Sequence, residues 1–361
     1  MRTKFILLCA ATAALAACAK TEVTPEVLNQ DAEITFLTAP VTKATEDFLT
    51  SNVFQSAAFY DVNDFVYGSS TAEEYIAPST VKYFTSVWRA TATDHTTAKS
   101  YYWPKDGGKL SFFSWSLNNA TLKYGDNAEP SATITKTNGV KLTGYKASKY
   151  NDDFMVADSV INRTKNVTPK TYKTEGVPTL FKHKTAKVAF KVVTKADYTQ
   201  APLYQKFTVT DVNFVNVATT GTYTQYDDNA QTANKETWEK TATGNLVYYA
   251  NTTGQVVNYN NGVAQDLVKT DTELYIPETY LDETSTGYQT LQVKYTVSRT
   301  KGANTKSKDY TANICLKNIL KDSIVAGKKY VITLTFGLDE ILWDPAIYEW
   351  EDGGTGSATI D

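Results

Sequence analysis

Apolar and polar residues alternate with a period of two along much of the chain, as in strands with one buried face. In LQVKYTVS, Leu291, Val293, Tyr295 and Val297 oppose Gln292, Lys294, Thr296 and Ser298. In KVAFKV, Val188, Phe190 and Val192 oppose Lys187 and Lys191. In KYVITLTFGL, Tyr330, Ile332, Leu334, Phe336 and Leu338 share one face. KLSFFSWSL differs, with Leu110 and Phe112 on one side and Phe113, Trp115 and Leu117 on the other. A strand apolar on both faces belongs in the middle of a sandwich. KFTVTDVNFVNV changes parity between Val209 and Val212, which predicts a bulge or a corner. Near the start, EITFLTAPV offers one short strand, with Ile34 and Phe36 on one face and Pro40 at its end.

Turn-rich runs separate these segments. Asp106-Gly107-Gly108 supplies permissive dihedrals before KLSFFSWSL, and YNNGVAQD and RTKGANTKSKD punctuate the later strands. The modest helical candidate is NILKDSIVAG, closed by Gly327. A chain of 361 residues is long enough for two domains, and the turn-rich stretch near 162–178 is the sensible boundary. The expected fold is therefore all-β, with two β-sandwich domains in series. A composition of 24 Tyr, 15 Phe and 6 Trp against 2 Met agrees, because aromatic residues favour strands.

The first residues, MRTKFILLCAATAALAAC, carry Arg2 and Lys4, then a short apolar run, then small residues before Cys18. That is the layout of a secretory leader, and the run is too short to span a bilayer. Leu15-Ala16-Ala17-Cys18 looks like a bacterial lipoprotein box, in which Cys18 becomes the mature N-terminus and carries lipid. The expected divisions are a signal peptide at 1–17, a lipidated tether with a removable first strand at 18–43, and sandwiches at 44–170 and 171–361. Losing Arg2 and Lys4 moves the formal charge from −3 to −5, which leaves no basic footprint for nucleic acid. Of the three Cys, Cys9 lies in the leader and Cys18 is the lipid site, so Cys315 has no intramolecular disulfide partner.

No catalytic constellation stands out. The two His, His95 and His183, fall in different expected domains, and no G-x-S-x-G elbow accompanies them. No HExxH or Cys pair supports a zinc site. Adjacent carboxylates at Glu73-Glu74, Asp152-Asp153 and Asp227-Asp228 point to opposite faces if they lie on strands, and read as solvated charge. His183 and Cys315 read as structural residues, and no cofactor or metal is expected.

VTKATEDFL at 41–49, YYWPKDGGKLSFFSW at 101–115 and DDFMVADS at 152–159 together resemble the fimbrillin family. LFKHKTAKVAFKV at 180–192, ELYIPETYL at 273–281 and AGKKYVITLTFGLDEILW at 326–343 continue the likeness in order. These are the type V pilins and Mfa-like lipoproteins of Bacteroidales. The resemblance implies two transthyretin-like Greek-key β-sandwiches and export as an outer-membrane lipoprotein, lipidated with palmitate. It further implies that a protease cuts after a basic residue beyond the first strand, here Lys43, the only Lys or Arg between Lys20 and Lys82. Loss of that strand, Ile34 and Phe36 included, leaves a groove that a strand of another subunit fills. The matching donor is EILWDPAIYEW, with Ile341, Trp343, Ile347 and Trp350 as the seating side chains and Pro345 interrupting it. The implied role is a stalk, tip or accessory subunit of an adhesive fimbria, partnered by other subunits and a processing protease. The competing expectation is a permanently anchored surface lipoprotein that binds glycans.

Overall fold

The computed structural model describes residues 33–38, 48–68, 71–117, 131–147, 153–164, 176–227, 236–267, 274–281, 288–321, 323–338 and 341–349. Within these the protein is nearly all β-strand, with one short helix at Leu316–Leu320 and one 3-10 turn.

The first sheet has nine strands. Its path runs Val177–Pro178, Phe36–Leu37, Val87–Ala90, Glu73–Phe84, Phe54–Asp61, Lys109–Ser116, Met155–Ala157 and Phe181–His183, with Val160–Arg163 also pairing Lys109–Ser116. In a flat sheet, Phe36–Leu37 and Lys109–Ser116 would lie four strand spacings, roughly 19 Å, apart. Yet the rings of Phe36 and Phe112 are 6.0 Å apart, centroid to centroid. The sheet therefore curls round on itself. Its two edge strands belong to one segment, 177–183, in which Thr179 and Leu180 alone separate Pro178 from Phe181. Phe36, Phe54, Trp88, Phe112 and Phe181 fill the inside of the curl.

A second sheet of six strands is drawn from both halves of the chain. Gln205–Thr224 pairs with Thr290–Lys301 along its first part and with Gly139–Lys146 near its end, while Thr237–Val257 follows it throughout. The larger core runs without a break from Phe113, Trp115 and Tyr145 through Tyr223 to Phe190, Phe214 and Phe336. A third sheet holds Gln265–Asp266, Thr185–Thr194, Lys328–Phe336 and Ile341–Glu349, with Leu274–Pro277 beside Thr185–Thr194. Its two middle strands are parallel.

Several expectations meet the structure directly. Leu110 and Phe112 point into the curled sheet, and Phe113, Trp115 and Leu117 into the larger core. The parity change after Val209 is a register shift between Val209 and Asp211. Other expectations change. The helix closes at Lys321, not Gly327, because residues Ser323–Ile324 turn into a strand that pairs Thr279–Tyr280. Leu338 lies past the end of its strand and is exposed, while Lys187 is buried. Strands on both sides of residue 170 share the first sheet, since Val177–Pro178 pairs the first strand and Phe181–His183 pairs Met155–Ala157.

Candidate functional site at the first strand

The strand Phe36–Leu37 is short, but hydrogen bonds hold both of its sides. On one side, Val177 N–H donates to the Thr35 carbonyl at 2.7 Å and Thr179 N–H to the Leu37 carbonyl at 2.8 Å. On the other, Phe36 pairs Trp88, and Ile34 N–H donates to the Tyr101 carbonyl at 2.7 Å. Neighbouring strands run parallel on the first side and antiparallel on the second. Gly176 permits the close approach, because a Cβ there would sit 3.1 Å from the Phe36 carbonyl carbon.

Ile34 and Phe36 both point inward and are buried, so the alternation read from the sequence is correct here. The Phe36 ring meets Phe54 edge-on at 5.6 Å, and Phe54 in turn touches Trp88 at 5.5 Å. Glu33 locks the entry. Arg89 donates to its carboxylate through Nε and Nη2, each at 3.0 Å, and the Ser100 hydroxyl donates at 2.6 Å. Burial alone would raise the Glu33 pKa, but the bonds from Arg89 and Ser100, with the charge of Arg89, hold it below the ordinary range. Removal of this strand would bare Trp88, Val177, Phe54 and Phe112, and leave Val177 N–H, Thr179 N–H and the Tyr101 carbonyl without partners. Such a slot attracts another strand, because exposed apolar surface and unpaired backbone groups are both unfavourable.

Of the other residues singled out, Cys18, Lys43 and Trp350 lie outside the described residues. Phe48 is the first described residue beyond Lys43, and its ring stacks on Phe181 at 4.9 Å. The strand Ile341–Glu349 pairs only Lys328–Phe336 among the described residues. It runs unbroken through Pro345, opposite Ile332, contrary to the interruption expected there. An edge strand tolerates proline because one side of it needs no N–H. Ile341 is buried and Ile347 half-buried against the larger core, while Trp343 pairs Leu334 through the backbone.

His183 is buried with its Nδ1 2.8 Å from Asp153 Oδ1, and His95 Nδ1 lies 3.0 Å from the Thr80 hydroxyl, in a separate place. Asp153 is thus a packed partner of His183 and not a solvated charge. Cys315 is half-buried. Among the described residues no three His, Cys, Asp or Glu side chains group as a metal site, and no helix is long and apolar enough to cross a membrane. Sequence reasoning missed Arg89, Tyr101 and Val177, the walls of the slot. Only the pairing of strands distant in sequence brings them to Phe36.

A curled sheet that holds a short N-terminal strand between two non-sequential neighbours makes this an all-β protein built around that strand's slot. The chain belongs to the fimbrillin-like family, whose model matches residues 42–350. It is similar to a fimbrial protein from Bacteroides vulgatus, at 13% identity and a TM-score of 0.65, over 89% of this chain and 100% of that one. A protein from Bacteroides uniformis, provisionally named for cell adhesion, is 13% identical with a TM-score of 0.50 over 89% and 100% of the two chains. The tip fimbrial protein Mfa3 from Porphyromonas gingivalis, truncated at its C-terminus, is more distant, at 12% identity and a TM-score of 0.40 over 88% and 100%. No curated protein matches the chain.

Proposed function

We propose that this protein is a structural subunit of a cell-surface fimbria that joins its neighbours by strand exchange. In this reading it is exported as a lipoprotein anchored through Cys18. A protease then cuts after Lys43 and releases residues 18–43, so that the lipid and the first strand leave together. The vacated slot between Val87–Ala90 and Val177–Pro178 takes a strand from another subunit. The Ile341–Glu349 segment and the residues after it are the candidate donor, seated by Ile341, Trp343, Ile347 and Trp350. The role is that of a building block and not of a catalyst.

The observation that carries the reading is the setting of Phe36. A strand with described ends at 33 and 38 fills an aromatic interior, and the backbone of its neighbours is unsatisfied without it. Treatment of the purified precursor with a Lys-specific protease tests this. The expected result is a new N-terminus at Ala44, followed by polymers. Trimming that yields only stable monomer refutes strand exchange, and Lys43→Ala protein that assembles normally refutes the cleavage site.

A further inference from the structure

Three strands reach the surface together beside a cavity of about 330 Å³. Thr194 closes the strand Thr185–Thr194, Gln205 opens Gln205–Thr224, and Val257 closes Thr237–Val257. The loops that follow Thr194 and Val257 form the walls. Backbone bonds pin both of them. Thr194 N–H donates to the Asn258 carbonyl at 3.4 Å, and Gln205 N–H to the Tyr198 carbonyl at 2.7 Å. Asn258 Nδ2 donates to Gln265 Oε1 at 3.1 Å, while Gly262 N–H and Val263 N–H close a turn onto the Tyr259 and Asn260 carbonyls. A site fixed before its ligand arrives loses little entropy on binding.

The lining points to one kind of ligand. Tyr198 is 8% exposed, with its ring 5.6 Å from that of Phe207. Its hydroxyl makes no hydrogen bond among the described residues, so a partner for it comes only from the cavity that Tyr198 lines. A nearly buried hydroxyl left unpaired is unfavourable, and a ligand that bonds it gains accordingly. The side chains of Gln205, Tyr259 and Asn260 also line the cavity without a hydrogen bond among the described residues. Asp197 stays ionised, because the Thr199 hydroxyl and amide donate to its carboxylate and hold its pKa below the ordinary range. Asp197 is the only carboxylate in the lining, and no Lys, Arg or His joins it there. Lys195 follows Thr194 in sequence, and Arg299 Nη2 reaches the Pro202 carbonyl at 3.5 Å, but neither lines the cavity. An anion therefore meets no cationic partner, and one carboxylate is too few to hold a divalent cation by charge. A neutral, hydroxyl-rich ligand fits, since its hydroxyls both donate and accept, as amides and a carboxylate require. The C–H faces of a sugar ring also rest well on tyrosine. At about 330 Å³ the cavity is at the small end of ligand sites, which suits the end of a saccharide chain.

We propose that this cavity binds the end of a neutral saccharide, with Tyr259 as the stacking face. Tyr198, Asp197, Asn258 and Asn260 supply the hydrogen bonds. The site is separate from the slot of the first strand. The far end of Gln205–Thr224 leads to Gln225, whose Nε2 donates to the Ala157 carbonyl of the first sheet at 3.0 Å. A strand entering the slot and a saccharide in the cavity use different surfaces, so saccharide binding can be tested apart from strand exchange.

The experiment titrates the full chain, in a chelator, into neutral trisaccharides of glucose, mannose or galactose, with sialyllactose as the acidic comparison. Ligand-observed NMR reads the affinity. At least one neutral trisaccharide should bind with a Kd of about 1 mM or tighter, and more tightly than sialyllactose. Tyr198→Phe keeps the packing on Phe207 and loses only the hydroxyl, so affinity should fall about threefold to tenfold with unchanged melting. Tyr259→Ala should weaken binding about tenfold. Asn260 has a left-handed backbone (φ 42°) that glycine adopts freely, so Asn260→Gly removes the amide alone and should cost about threefold to tenfold. Tyr204→Ala, at a tyrosine 47% exposed but outside the lining, should bind as the parent does. A parent that binds no neutral trisaccharide, parental affinity in Tyr198→Phe, or an equal loss in Tyr204→Ala overturns the proposal. Tighter binding of sialyllactose overturns it in favour of an acidic ligand. Calcium binding without chelator that Asp197→Asn abolishes, with no trisaccharide bound, overturns it and assigns the cavity to a cation.

Discussion

Phe36→Ala is the sharpest probe of the first strand. The ring is 4% exposed and meets Phe54 at 5.6 Å and Phe112 at 6.0 Å, both edge-on. Truncation of a core phenylalanine costs about 3–5 kcal/mol, which includes the edge-on pairs at about 0.5–1.5 kcal/mol each. The backbone bonds from Val177 and Thr179 survive the substitution, since they end on the Thr35 and Leu37 carbonyls. The loss therefore falls on the docking of 33–38 and not on the sheet as a whole. Hydrogen exchange at the Val177 and Thr179 amides reads that docking directly. At about 1.4 kcal/mol per tenfold, their exchange should accelerate roughly a hundredfold to several thousandfold. Leu37→Ala is the control, because Leu37 is half-exposed and should change the rate by less than about tenfold. Parental exchange rates in Phe36→Ala, or equal effects from Leu37→Ala, would refute the claim that Phe36 anchors the strand.

Three further outcomes are expected. Because the folded pKa of Glu33 is lowered, its contribution is present above the ordinary glutamate range and is lost as pH falls through the folded value. Protection of the Ile34 and Val177 amides should drop in acid in the parent, and this acid-dependent part should vanish in Glu33→Gln. Removal of 341–361 strips one of the two partner strands from Lys328–Phe336 and uncovers the larger core at Ile341, so the urea midpoint should fall and aggregation rise; an unchanged midpoint would show that the strand Ile341–Glu349 contributes nothing to its own fold. Membrane-extracted protein should carry lipid on Cys18, and mass spectrometry that finds an unmodified N-terminus elsewhere rejects the anchor.

What the sequence revealed was mostly local. Alternation identified the strands at 187–192, 291–298 and 329–336, and the doubled apolar faces of 109–117 correctly implied cores on both sides. The inward face of Ile34 and Phe36 was legible for the same reason. The walls of their slot were not. Trp88 and Val177 lie 52 and 141 positions after Phe36, and nothing in a period-two pattern says which strands become neighbours. The sharing of the second sheet between halves was hidden likewise, because Gln205–Thr224 carries no mark of where its partner changes from Thr290–Lys301 to Gly139–Lys146. Lys187 shows the opposite failure: its charge implied solvent, and tertiary packing buried it.

The two ends of the chain differ in how tightly the fold holds them, and the difference bears on exchange. The first strand touches two neighbours, but over few residues, and a single cut beyond it would free it along with everything upstream. Among the described residues, the strand Ile341–Glu349 pairs one neighbouring strand over nine register pairs and lies at the edge of the third sheet. Releasing it would break a long ladder and move Ile341 out of the larger core. Leaving the slot is therefore the easier step, and donating the terminal strand itself is the harder one. In the proposed exchange, a donor made of residues after Glu349 would leave the Ile341–Glu349 ladder in place. A donor that begins near Trp350 and leaves Ile341–Glu349 in its own sheet thus requires less unfolding than one that begins at Ile341. Trp343→Ala and Trp350→Ala separate these cases. If the short donor is correct, Trp350→Ala weakens assembly and spares subunit stability, while Trp343→Ala leaves the joining step itself unchanged.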